Sequence, residues 1–297
     1  MKKIHGVVVG ALVGLFMMVP KASAAILQID ELNKIFFNGL ENLFDSTGNF
    51  KAPTVAGLAV GDHLAGIINV QNITANGSTV FFAGASDQLT GVFAQRIERI
   101  DPLGGGAVRL IFGPAQVSTF CNGGDCFSIA GNLTGNEQFA FYLQQGAGTT
   151  VFTDGSTMAL SKAAATDGSL YMTLGYDPGV DGIYGTPDDN GYAYGHPITD
   201  PIGQPKGEAF GGLNVTQNNT GFLFNKINDP SEFLADKSVD LYFSAEFELN
   251  DNLKSAWKTA LNDPAVVSPV IPEVSSIWML GMGLLGFGLV RPWRRTA

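Results

Sequence analysis

At 297 residues, 45% of them hydrophobic, the chain is long enough to bury a core as one large domain or two smaller ones. Its 27 acidic and 17 basic residues leave a net charge of −10, which excludes nucleic acid and anionic lipid surfaces as electrostatic partners. Charged residues make up only 15% of the chain and glycines number 38, so small polar and apolar residues dominate, as in many exported β proteins.

The chain opens with Lys2-Lys3, an apolar stretch over residues 6–19, then Pro20 and Ala22-Ser23-Ala24. This is the pattern of a secretory signal peptide with an A-x-A cleavage site, so residues 1–24 are expected to be removed and the mature protein to start at Ala25. In residues 29–44 the apolar positions Ile29, Leu32, Ile35, Phe36, Leu40, Leu43 and Phe44 predict a helix that Gly39 weakens. Beyond Thr54, runs rich in Val, Ile, Phe, Tyr and Thr alternate with Gly, Asn and Asp turns. They predict strands at 66–70, 78–83, 90–100, 107–112, 138–143, 149–153, 170–176, 221–226 and 239–249. The spacing implies an all-β dominated exported domain over residues 25–262, an antiparallel β-sandwich with one or two short helices. The triplets Phe141-Tyr142-Leu143 and Leu241-Tyr242-Phe243 suit buried positions between sheets.

The cysteines are Cys121 and Cys126, on either side of Asn122-Gly123-Gly124-Asp125. In an oxidising compartment they are expected to form a disulfide around the Gly-Gly turn. A metal site lacks partners, because the mature chain offers only His63 and His196 and no further cysteine. Residues 176–191 hold four aspartates and an asparagine among turn-forming glycines and prolines: Asp177, Asp181, Asp188, Asp189 and Asn190. Oxygen ligands converging from such a loop suit Ca²⁺. Gly179 at the third position and an aspartate at the twelfth depart from an EF-hand loop. The segment is similar instead to aspartate-rich turns of exported bacterial proteins; a calcium site and a solvated acidic turn both stay open, and no other cofactor is required.

Catalytic patterns are sparse. Gly281, Gly283 and Gly286 match a dinucleotide fingerprint only inside an apolar span, and Ser255 with Lys258 matches a serine-x-x-lysine pattern without its companions. Asp62-His63 has no nucleophile elbow to serve, and pairing of two of the 27 acids in space, as glycoside hydrolysis needs, stays open. A late helix is predicted over residues 252–261, capped by Asp251 with Leu253, Trp257, Ala260 and Leu261 on one face. Residues 263–271 read as a stiff, proline-spaced linker.

The tail, residues 272–297, combines Pro272-Glu273-Val274, an uncharged apolar run over 277–290, and Arg291, Arg294 and Arg295. As a helix, residues 275–290 would span about 24 Å, enough to cross a bilayer with thinning or snorkelling, with the arginines on the cytoplasmic side. The tail resembles the PEP-CTERM sorting domain of Gram-negative bacteria, with Val274 where the motif's second proline stands. The resemblance covers about 26 residues and implies an exosortase-type partner, a transient transmembrane helix in the inner membrane, and release to the cell surface or extracellular matrix. Removing both ends takes away Lys2, Lys3, Lys21, Arg291, Arg294 and Arg295, leaving 11 basic residues against 27 acidic, a net −16. What the resemblance implies is a non-enzymatic surface or matrix protein associated with exopolysaccharide, biofilm or floc. The alternative is an exported carbohydrate-active or other hydrolytic enzyme using the same route.

Overall fold

The computed structural model describes residues 26–84, 87–104, 107–146, 155–186, 188–199, 205–228, 238–249 and 256–270. The residues expected at signal cleavage, Ala22, Ala24 and Ala25, those expected to direct sorting, Pro272, Glu273, Val274, Arg291, Arg294 and Arg295, and the strand expected at 149–153 lie outside them. In chain order the elements are β1 Asn33–Phe44, β2 Phe50–Lys51, β3 His63–Ala75, β4 Ser78–Phe82, β5 Asp87–Gly104, β6 Ala107–Pro114, β7 Thr119–Asn122, β8 Asp125–Ser128 and β9 Glu137–Gln145. There follow α1 Met158–Ala165, β10 Ser169–Gly175, β11 Ala193–Thr199, β12 Pro205–Asn218, β13 Leu223–Phe224, β14 Ile227–Asn228, β15 Ser238–Val239, β16 Leu241–Leu249, β17 Thr259–Val267 and β18 Pro269–Val270.

The fold is all-β and antiparallel, and its main sheet closes on itself. Pairing runs β1 to β3, β5, β6, β11, β12, β16 and β17, and β17 returns to β1. The sandwich-like antiparallel architecture expected from the sequence is present, and this pairing joins its edges into a closed barrel of eight strands. Between β5 and β12 the wall forks. Over Asp87–Phe93 the neighbour of β5 is β9, which leads through β10 to the far end of β12; from Gln95 onward the neighbour is β6. At the fork the Tyr176 hydroxyl donates to Gln95 Oε1 (2.7 Å), while Tyr176 N–H donates to Gln138 Oε1 (2.7 Å).

Alternation along each strand sends one set of side chains inward. Ile35, Phe93, Phe112, Phe141, Leu174, Leu213, Leu241 and Phe243 belong to this inner core. Several inward positions are glycine because a neighbouring strand supplies a ring: Gly211 and Gly207 face Phe243 and Phe247, and a Cβ on either glycine would lie within 2.6 Å of those rings. The apolar-in pattern is the reverse of a transmembrane barrel's. Among the described residues no helix is long and apolar enough to cross a membrane.

A second core lies outside the wall. Phe44, Ile67, Val92 and Ala94 point outward from β1, β3 and β5 and are covered by α1, Trp257 and the β7–β8 hairpin, which contributes Phe120 and Phe127. The Cys121–Cys126 disulfide closes that hairpin, with Cα atoms 4.1 Å apart. Thr157 caps α1 through Oγ1, and the Asp125 carboxylate accepts from the N–H groups of Met158 (2.7 Å) and Ala159 (3.3 Å).

Three local expectations are corrected. Residues 33–44 form β1 rather than a helix, because the end of this strand is buried on both faces. Lumen-facing Ile35 and Leu43 and outward-facing Leu40 and Phe44 together mimic helical spacing, while Leu32, on the expected apolar helix face, is 59% exposed. The late helix is replaced, where it is described, by buried Trp257 and the start of β17. The linker is also strand: Asp263 and Pro264 pair with β1, and only on the β16 side does the ladder lapse opposite Pro264, which has no N–H to give.

Candidate functional site

Of the loop residues singled out in the sequence, the structure brings Asp181, Asp188 and Asp189 together, with one carboxylate oxygen of each within 4.8 Å of the others. Asp177 and Asn190 instead close the neck of the loop. Asn190 Nδ2 donates to Asp177 Oδ2 (3.1 Å), and Asp177 N–H donates to Gly191 O (2.8 Å). Gly179 is obligatory at φ 68°, where a Cβ would strike the Asp188 carbonyl. The loop docks on the wall through Arg99, whose Nη2 donates to Gly185 O (3.2 Å), and Tyr184 packs edge-on against Tyr176. Three carboxylate oxygens converge on one hydroxyl: Thr186 Oγ1 lies 3.1 Å from Asp181, 2.7 Å from Asp188 and 3.1 Å from Asp189. That hydroxyl has one proton and also lies 3.2 Å from Ile183 O, so at least two of the three carboxylate oxygens meet a lone pair there. The Thr186 hydroxyl and the backbone N–H groups of Asp181 and Val180 hold the Asp188 carboxyl down to about 2.

The Asp62-His63 pair does not act as a dyad. Asp62 binds Lys51 Nζ (2.6 Å) and Ala59 N–H (2.8 Å). Buried His63 bridges main chain, with Nδ1 3.3 Å from Asp45 O and Nε2 accepting from Gln116 N–H. Burial is the main cause that lowers its pKa, favouring the neutral ring.

Two features were missed in the sequence. The first is an amide row on the outer face of β17, β1 and β3. Asn262 and Asn69 lie directly opposite Asn38 on either side, and with Gln71 they line a shallow depression of about 350 Å³ floored by Leu40 and Ile67. Asn69 Oδ1 is buried with no hydrogen-bond partner among the described residues. The next rung carries Phe36 opposite Asn72, which in turn faces Phe82, 73% exposed. The second is the barrel lumen, an apolar cavity of about 100 Å³ into which Glu41 projects between Thr259 and Gly66 on the neighbouring strands. Glu41 is 3% exposed, and burial alone pushes its carboxyl up from 4.5 to about 8. A period-2 reading would have exposed it as a charge in the apolar series Ile35, Phe37, Gly39, Glu41, Leu43; the helical reading hid it.

Compared with protein-family models, curated proteins and solved structures, the chain matches none.

Proposed function

We propose that the chain is an exported, non-enzymatic protein of the Gram-negative cell surface or extracellular matrix, sorted through its tail by an exosortase-type enzyme, that binds exopolysaccharide through the amide row. The observation that carries the binding half is Asn69 Oδ1, a buried acceptor lacking a partner among the described residues, at one end of a row of three facing asparagines. Primary amides both donate and accept, as sugar hydroxyls do, and exposed Phe82 beside them offers a flat apolar surface for the C–H face of a pyranose. The export half is supported by the two terminal segments and by the Cys121–Cys126 disulfide, which suits an oxidising compartment. Calcium at the aspartate loop belongs to the same proposal. The oxygens of Asp181, Asp188 and Asp189 that converge on Thr186 form an all-oxygen donor set of the kind a hard cation takes.

Affinity electrophoresis of the mature protein in gels containing the producing cells' matrix polysaccharide tests the binding half. Retardation should fall by severalfold in the Asn38→Ala, Asn69→Ala double variant; unchanged retardation would remove the amide row from the function. Abundance in cell, matrix and medium fractions, with and without the sorting enzyme, tests the delivery half.

A further inference from the structure

We propose that the barrel lumen is a binding site for a small neutral molecule, apolar over most of its surface and carrying one hydroxyl or carbonyl group that pairs with the Glu41 carboxyl. An eight-stranded barrel encloses a space that side chains just fill or that holds one small ligand. Here the filling is incomplete: about 100 Å³ remains between Phe37, Phe93, Phe139, Phe243 and Leu261, somewhat less than the roughly 150 Å³ dry cavity known to admit benzene. The residual space is therefore matched to a body of a few carbon atoms or a single ring. Longer chains would have to displace Pro53 to Leu58, a partly exposed connection that also lines the lumen.

The polar content of this space is what assigns the ligand's chemistry. Glu41 is the only ionisable side chain among the described residues lining the lumen; Gln95, Thr54 and Thr259 are its neutral polar companions. No hydrogen bond from a described residue reaches the Glu41 carboxyl, and the Gln95 amide oxygen is held by the Tyr176 hydroxyl. A lone, almost fully buried carboxyl in an apolar chamber is costly to keep, so it is the group a ligand would satisfy. A neutral carboxyl both donates and accepts, which suits an alcohol, aldehyde or ketone. An anionic ligand would meet an acid it must not ionise, and an ammonium would lose its hydration to an apolar wall. The site is inside the barrel and independent of the outer amide row, so either can fail without the other.

The test uses the full mature protein and three single-ring probes: benzyl alcohol, toluene and benzoate. Calorimetric titration should show saturable binding of benzyl alcohol about tenfold tighter than toluene, the worth of one buried hydrogen bond, and no binding of benzoate. Glu41→Leu should bring benzyl alcohol to the level of toluene, and Ala209→Leu, which fills lumen volume, should weaken both. In glutamate-labelled wild-type protein the Glu41 carboxyl carbon resonance should move in proportion to benzyl alcohol saturation, a readout that needs no variant. Absence of saturable binding, equal affinity for alcohol and hydrocarbon in the wild type, or an unmoved carboxyl resonance would each overturn the proposal.

Discussion

Glu41→Gln should convert a barrel that weakens as pH rises into one that does not. The wild-type carboxyl is raised in the folded state from 4.5 to about 8, by burial. Between those values the folded protein holds a proton that the unfolded chain has released, so unfolding becomes easier by about 1.4 kcal/mol for each pH unit gained. The penalty is absent below pH 4.5, amounts to about 3 kcal/mol at pH 7 and levels off at about 5 kcal/mol above pH 8. That is comparable with the whole stability of a marginal domain. Glutamine is neutral in both states and nearly the same shape, so it carries no such slope. Urea unfolding of both proteins at pH 5, 7 and 9, followed by far-ultraviolet circular dichroism, isolates the term, because every other titrating group is shared and cancels in the difference. The variant should gain on the wild type by about 3 kcal/mol from pH 5 to 7 and by a further 1 to 2 kcal/mol at pH 9. Parallel curves would refute the placement of an isolated carboxyl in the lumen.

Calcium at a few times its dissociation constant should stabilise the mature protein by about 1 kcal/mol and raise its Tm, with magnesium much less effective; Asp181→Ala with Asp188→Ala should abolish the rise, and a parent blind to calcium would reduce the loop to a solvated turn. Folded exported protein should show no free thiol before reduction, and replacing Cys121 and Cys126 by serine should cost about 2 kcal/mol, as expected for so short a loop; alkylation of the unreduced protein would contradict this. Intact mass of surface material should correspond to a chain that starts at Ala25 and has lost the apolar span after Glu273, and a species retaining Trp278 to Arg295 would leave a plain membrane anchor.

What could be read from the sequence follows from where each strand keeps its hydrophobicity. Strands β3 to β6, β9, β10 and β16 carry their own inward apolar residues and overlap the expected runs closely. Strands β11 and β12 escaped notice because their inward positions include Gly195, Gly207 and Gly211, whose space is taken by Phe112, Phe247 and Phe243. The apolar signal of that wall sits in its neighbours. The outer helix α1 has a legible N-cap in Thr157 and a run of helix formers, but at eight residues it is too short to show a helical period between its neighbouring strands. The aspartate cluster was legible because its members lie within one loop; Asp177 and Asn190 were assigned to it by proximity in sequence and turned out to close its neck.

The lumen and the amide row could not be read in this way, because each is made by register across strands distant in sequence. Asn38 meets Asn262 and Asn69 only because β17, β1 and β3 are neighbours, and a slip of one residue on β1 would carry Asn38 inward and Glu41 out. Both placements therefore rest on the register of the same strand. The register is held by the other residues of β1: Gly39, where a Cβ would come within 3.1 Å of Leu261, and Asn42, whose Nδ2 donates to Ala256 O (3.0 Å) while its Oδ1 accepts from Lys258 N–H (2.8 Å). Trp257, between those two anchors, is fully buried and donates Nε1–H to Ser161 of α1 (3.1 Å). The outer cover thus fixes the chain just where it enters β17, and through β17 the register of β1. What looked in the sequence like two helices and a linker is the arrangement that turns Glu41 into the barrel and Asn38 away from it.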